Sequence, residues 1–405
     1  MSNGDKKMRS TPISDRLQIG IFGKRNSGKS SFINVFTEQN VAIVSDTPGT
    51  TTDPVGKAIE IRGLGPVYLY DTAGIDDSGE LGSKRIEKTK AILNKINLAL
   101  IITTAETFDT TEEKIIQQLQ QKHIPFVVLF NKNDLFAEQK IKNDFLSVSI
   151  SCKTKNGIKE ARDLIIKEGA KIHPQKDSII GDIVSQGDFI FLVVPIDLGA
   201  PQGRLILPQV QTIRDILDND AVSVVVKERE LEYALDRAKP DLVICDSQVV
   251  LKVVGDLSPN IKMTTFSIIF SRLKGDLAEF VKNVKVLNSL EDGDSILLLE
   301  ACTHHSLEDD IARVKIPRWV REYTGKNIKF DINPGPFVNK NLSDYKLLVH
   351  CGGCMINRQE YIHRVHQSIE KQIPMTNYGV LISYVHGVLR RALSPFPYEQ
   401  SLLEN

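Results

Sequence analysis

"LQIGIFGKRNSGKSSFINVFT" (residues 17–37) decides how the first third of this chain folds. Its opening is rich in Ile, Leu and Phe and reads as a buried strand. A glycine-containing turn follows, and an amphipathic run then starts near Lys29. The turn from Gly23 to Ser30 has the spacing G-x-x-x-x-G-K-S. Between a strand and a helix, that pattern is a phosphate-binding loop. Glycines let backbone N–H groups wrap phosphate oxygens with no Cβ in the way, and the helix N-terminus adds positive potential. Lys29 is placed to reach the β- and γ-phosphates and Ser30 to ligate Mg²⁺, with Asn26, Ser27, Gly28 and Ser31 lining the same loop.

Further along, "VYLYDTAG", "LALIITTA" and "PFVVLFNKND" read as strands ending in polar or glycine-containing loops, with helical patterns such as "SKRIEKTKAILNKI" between them. Alternating strands and helices imply a parallel sheet covered on both faces. Each strand end supplies a functional element. Asp71, in "DTAG", can hold Mg²⁺ through water, and the Gly74 N–H can meet a γ-phosphate. In "NKND", Asn131, Lys132 and Asp134 form a guanine reader, because a carboxylate can accept from guanine N1 and N2. Adenine offers neither donor and would leave that carboxylate unpaired. "SCK", Ser151 to Lys153, then presents a backbone N–H to guanine O6, with the small Cys152 at its centre.

These four elements in order resemble the translation-factor class of GTPases, nearest to its tRNA-modification (TrmE) and Era-like branch, over residues 17 to about 170. The stretch "IVSDTPGTTTDPV" is similar to that branch's first switch loop. The resemblance puts the Mg²⁺-binding threonine at Thr51, with Thr50 as the alternative; Thr52 stands where the branch often has Arg. Ile75 occupies the position of the water-orienting Gln of Ras-like enzymes and cannot do its work. No arginine finger is evident, so intrinsic GTP hydrolysis to GDP is expected to be slow. In K⁺-activated members of the branch an Asn at the position of Asn26 helps hold potassium against the phosphates, which implies K⁺ stimulation here.

The rest of the chain is also α/β. "KIHPQKDS" at 171–178 has the composition of a linker. After it come "GDFIFLVVPI", "AVSVVVK" and "DLVICD" as strands, the last ending in Cys245, which reads as a buried inert thiol. From about 270 onward the strand candidates are "SILLLEAC", "IKFDIN", "YKLLVHC" and "GVLISYV". Three α/β domains with mainly parallel sheets are expected, over residues 1–172, 173–268 and 269–405. The 405 residues carry 51 basic and 51 acidic side chains, so no net positive field favours nucleic acid. Five cysteines in so long a chain do not form a disulfide scaffold. No apolar run is long enough to span a membrane, and a reducing cytoplasm is the expected location.

Three of those cysteines fall in the last third: Cys302 in "EACTHHS", and Cys351 and Cys354 in "LLVHCGGCMI". Both segments follow strands, and residues beyond the carboxyl ends of parallel strands meet at one edge. His304, His305 and His350 lie beside them, and Gly352-Gly353 would let backbone N–H groups approach sulfur. His363, His366 and His386 read as helix-surface or packing residues. From chemistry alone, an iron–sulfur cluster, a zinc site and a set of buried thiols all stay open.

C-x-H followed by H-C-x-x-C, after a GTPase domain, resembles the FeFe-hydrogenase maturation GTPases, the HydF family, over essentially the whole chain. The resemblance implies a 4Fe-4S cluster on Cys302, Cys351 and Cys354, with His304 or His350 as an exchangeable fourth ligand or as nearby orienting residues; His305 and Glu308 are also within reach of Cys302. It further implies a homodimer through 173–268 and a cluster domain over 269–405. The implied function is a scaffold that receives a di-iron precursor made by two radical-SAM maturases and delivers it to apo FeFe-hydrogenase. The rival reading is a tRNA-modification or ribosome-assembly GTPase whose cysteines bind structural zinc.

Overall fold

The computed structural model describes residues 12–38, 42–45, 56–72, 91–135, 145–172, 178–195, 205–301, 310–335, 338 and 340–404. Thr50, Thr51, Gly74, Ile75, Cys302, His304, His305 and Glu308 therefore lie outside the described residues. The chain divides into two compact units, residues 1–176 and 177–405.

The first unit is built on a seven-stranded sheet: β1 (Leu17–Phe22), β2 (Ala42–Ser45), β3 (Gly56–Ile61), β4 (Gly65–Asp71), β5 (Leu98–Thr103), β6 (Phe126–Phe130) and β7 (Ser147–Ser149), in the order β2-β3-β4-β1-β5-β6-β7. Every residue of β1 and β5 is buried. That is why these strands read as continuous apolar runs and not as alternating ones: helices cover both faces. β4, β1, β5, β6 and β7 are parallel, with Ile19 opposite Leu69 on one side and Leu98 on the other. β2, β3 and β4 pair antiparallel at one edge. The parallel register lines up the carboxyl ends of β1, β4, β6 and β7, and the motif loops leave the sheet from those ends.

The second unit holds two four-stranded, all-parallel sheets. One contains β8 (Phe189–Val193), β9 (Val222–Val226), β10 (Leu242–Cys245) and β11 (Lys262–Thr265), ordered β11-β10-β8-β9. The other contains β12 (Ser295–Leu299), β13 (Lys329–Asn333), β14 (Leu347–His350) and β15 (Met375–Asn377), ordered β13-β12-β14-β15. One continuous hydrophobic core, from Ile179 to Phe396, serves both sheets. The helix Phe266–Lys274 follows β11 directly and buries Phe266, Ile268, Ile269 and Phe270 in it. Cys245 is fully buried at the end of β10, and burial raises its thiol well above the ordinary value.

One expected strand is a helix. "GVLISYV" lies within the helix Tyr378–Val385, capped by the Asn377 side chain, which accepts from Gly379 N. Six successive residues, Tyr378 to Ser383, are buried. A helix buried on every side has no polar face, so its sequence loses the 3.6-residue period and resembles a buried strand. The true edge strand is the three-residue β15 just before it, too short to show any pattern. No helix among the described residues is long and apolar enough to cross a membrane.

Candidate functional site

The loop after β1 takes a shape that its sequence dictates. Gly23 has φ 149° and Gly28 φ 102°, both outside the range that side chains favour. A Cβ on Gly23 would stand 2.1 Å from Ile102 O, and one on Gly28 2.1 Å from Asn131 Nδ2. Lys29 is 9% exposed and folds back, donating to Gly23 O and Lys24 O, each at 2.8 Å. Phe32 N donates to Gly28 O at 2.8 Å, which starts the helix Lys29–Glu38. Ser27 Oγ is buried with no hydrogen-bond partner among the described residues.

Asn131 ties three loops together. Its Nδ2 donates to Ser27 O at 2.9 Å and its Oδ1 accepts from Cys152 N at 3.1 Å. The phosphate loop, the loop after β6 and the loop after β7 are thereby fixed to one another. Ser151 Oγ donates to Asp134 Oδ1 at 2.6 Å and accepts from Thr154 N at 3.1 Å, which orients the carboxylate. Burial raises the Cys152 thiol to about 11, so it stays neutral. Asn26, Gly28, Lys29, Ser30, Ser31, Asn131, Lys132, Asp134, Cys152 and Lys153 all line one cavity of about 520 Å³. Leu135 lines it too; nothing in its residue type marks it, and only its position directly after Asp134 could have found it. Asp71 closes β4 on the same sheet edge.

One further support carries no signature in the sequence. Lys24, inside the phosphate loop, pairs with Asp109 at 2.6 Å and Glu112 at 3.2 Å. Those two acids form the capping box of the helix Thr110–Gln121. The loop is thus pinned to a second helix as well as to its own.

The cysteine site lies at the carboxyl edge of the second sheet of the other unit. Leu299, the last residue of β12, pairs with His350, the last of β14. Cys351 N donates to Leu299 O at 2.9 Å, and Ala301 N donates to Cys351 Sγ at 3.2 Å. Ala301 is the residue immediately before Cys302. Burial raises both thiols, Cys354 to about 11 with Cys351 beside it as the next cause. Both are therefore protonated at neutral pH. Gly353, at φ 64°, allows the loop's turn, and a Cβ there would stand 2.7 Å from Tyr361 Cδ2.

His350 is wholly buried. Its Nε2 lies 3.0 Å from Arg364 Nη1 and its Nδ1 lies 2.7 Å from Cys351 O. A guanidinium can only donate, so Nε2 accepts and Nδ1–H donates to the carbonyl. Burial, then the charge of Arg364, hold the ring's pKa well below the usual histidine value, so it is neutral. Its one lone pair is engaged by Arg364, and its position is that of a residue that holds the Cys351 backbone. Among the described residues no group of three or more potential ligands converges. His386 packs edge-on against Trp319 with centroids 4.8 Å apart, and His366 is exposed on the helix Arg358–Glu370.

Comparison with known proteins places names on three segments. Residues 18–132 match the 50S ribosome-binding GTPase model, 179–275 the hydrogen maturase F dimerization domain, and 278–395 the hydrogen maturase F tetramerization domain. The tRNA modification GTPase MnmE of Thermoanaerobacter sp. (strain X514) is 37% identical over 161 residues, 38% of this chain and 34% of the relative. The MnmE of Alkaliphilus oremlandii is 33% identical over 180 residues, 42% of this chain and 38% of the relative. The matched region thus spans little more than a third of these curated relatives. A solved structure of a point variant of Aquifex aeolicus Era, bound to GDP.AlF4-, is 18% identical, covers 52% of this chain and 92% of that one, and has a TM-score of 0.31.

Proposed function

The chain belongs to the hydrogen maturase F family, and from that premise we propose that it is a GTP-hydrolysing scaffold for hydrogenase maturation. In this reading it binds a 4Fe-4S cluster at Cys302, Cys351 and Cys354 and delivers a di-iron precursor to apo FeFe-hydrogenase. The observation that carries the cluster site is the register of β12 and β14. It brings the residue before Cys302 into hydrogen-bonding contact with Cys351 Sγ. A backbone N–H on the Cys351 sulfur suits a cluster, whose sulfurs need such donors. Three thiolates would leave one iron open to exchange, which a carrier needs in order to release its cargo. His350 would orient the Cys351 loop, and His304 remains a candidate for the open position.

In the nucleotide site, Lys29 would leave its two carbonyls for the β- and γ-phosphates. Ser30, Thr51 and Asp71 would hold Mg²⁺, and the Gly74 amide would meet the γ-phosphate. Asn131, Lys132 and Asp134 would read guanine, with the amides of Ser151 to Lys153 at O6. Asn26 lines the cavity and would hold K⁺ against the phosphates. GTP would act as the switch through its γ-phosphate and Mg²⁺ at Thr51 and Asp71, and hydrolysis to GDP would remove those contacts. Residues 1–172, 173–268 and 269–405 would be the GTPase, dimerisation and cluster-binding domains, and the names of the matching families support self-association. The two radical-SAM maturases and the apo-hydrogenase are the proposed partners.

The test is iron, sulfide and zinc analysis of anaerobically reconstituted protein, with EPR of the dithionite-reduced sample beside Cys302→Ser. About four irons per chain, with a signal lost or altered in the variant, is the expected result. Stoichiometric zinc without sulfide would sink the cluster and favour the rival reading, a tRNA-modification or ribosome-assembly GTPase with a structural zinc site. Hydrolysis should be slower in Na⁺ than in K⁺; equal rates remove Asn26 from the chemistry.

A further inference from the structure

Lys274 sits where a lysine is costly to keep. It is 7% exposed, at the C-terminal end of the helix Phe266–Lys274. Burying an ammonium is unfavourable unless strong acceptors meet it. The acceptors here are Gly353 O at 2.7 Å and Ile356 O at 2.9 Å, the carbonyls on either side of Cys354. A lysine at a helix end ordinarily turns to water or to its own last carbonyls. Filling this space alone would need only a methionine. The opposite end of the same helix holds the other side of the loop. Ser267 Oγ donates to Asn377 Oδ1 at 2.9 Å and accepts from Gly379 N at 3.1 Å, and Asn377 Nδ2 donates to His350 O at 3.3 Å. One helix therefore supports the segment from His350 to Ile356 at both ends. Because it starts straight after β11, it also ties that segment to the β8–β11 sheet.

We propose that Lys274 is a positioning residue for the iron–sulfur cluster, locking the Cys351–Cys354 loop through Gly353 O and Ile356 O and holding a fixed positive charge beside the thiolates. The inference rests on the cluster reading above. A cluster on three thiolates is anionic, and one-electron reduction by an external titrant adds a further negative charge. A cation fixed in a poorly hydrated site favours that reduced form. The helix also gives the β8–β11 sheet a direct physical hold on the cluster loop.

Two variants separate these roles: Lys274→Met removes charge and donors, and Lys274→Gln keeps a donor without the charge. In the metal-free full chain, with the fold checked by circular dichroism, exchange of the backbone amides of residues 352–357 should quicken about tenfold in Lys274→Met. In reconstituted protein, EPR-monitored redox titration should find both variants shifted to lower potential. A tenfold change in the reduction equilibrium corresponds to ~59 mV for one electron. Wild-type exchange rates overturn the lock, and an unchanged potential in a variant that holds its iron overturns the charge. Should Lys274→Met fail to fold, Lys274→Gln carries the redox measurement, and Lys274→Arg, which keeps charge and donors, should restore both slow exchange and potential. A wild-type chain that takes up no cluster defeats the cluster reading instead, and the exchange experiment then judges the lock alone.

Discussion

Asp134 shows how much a single carboxylate depends on its neighbours. Ser151 donates to one of its oxygens at 2.6 Å, which fixes the plane of the group toward the cavity. Asp134→Asn replaces an acceptor with an amide whose NH₂ would face guanine N1 and N2 donors. The preference for GTP over a nucleotide lacking the 2-amino group should fall by on the order of a hundredfold, since a mismatched buried polar pair costs a few kcal/mol. Competition between GTP and ITP or XTP measures it, and an unchanged preference would mean that another residue reads the base. The motif residues were legible because their chemistry lies in their type and spacing. Lys24, Lys274 and Arg364 were not, because a basic residue in a helix or loop looks the same in sequence whether it is solvated or buried. Only its partners distinguish the two: Asp109 and Glu112 for Lys24, loop carbonyls for Lys274, His350 for Arg364.

Among the elements, the helix Arg358–Glu370 decides the cysteine site's inner wall. It delivers Tyr361, which packs against the His350 ring with centroids 4.4 Å apart, and Arg364, which holds that ring through its Nε2. Asn357 starts it, its side chain accepting from Glu360 N at 2.9 Å. Asn357→Ala should destabilise the second unit by about 1 kcal/mol, the usual cost of losing an N-cap. Urea unfolding of the metal-free chain is the measurement, and a midpoint equal to wild type would show that packing alone holds the helix start. The same element scale explains where sequence reading failed. "GVLISYV" is apolar but for Ser383, and a short, largely apolar run does not reveal whether neighbours or its own turns satisfy its backbone. The cap at Asn377 and the buried surroundings settle it as a helix.

For the whole molecule, the nucleotide-cavity residues and the Cys302, Cys351 and Cys354 motifs fall in different compact units, residues 1–176 and 177–405. Lys29→Ala should therefore reduce GTP hydrolysis at least a hundredfold, as loss of a main phosphate-stabilising charge does, roughly 3 kcal/mol or more. It should leave iron content after reconstitution at the wild-type level. A Lys29→Ala protein that cannot hold iron would contradict the separate placement of the two chemistries. The sequence by itself determined the α/β class, the phosphate-loop pattern, the order of the GTPase loop motifs and the pairing of a GTPase with a cysteine motif. Those features are local: they depend on residue type at fixed spacing along one strand–loop–helix unit. Only the tertiary structure decided that Asn131 joins three loops, that His350 is a buried neutral anchor, and that Lys274 reaches back to the cysteine loop. Each of these depends on contacts between residues far apart in the chain, and parallel sheets bring such residues together through crossover register, which no local pattern encodes.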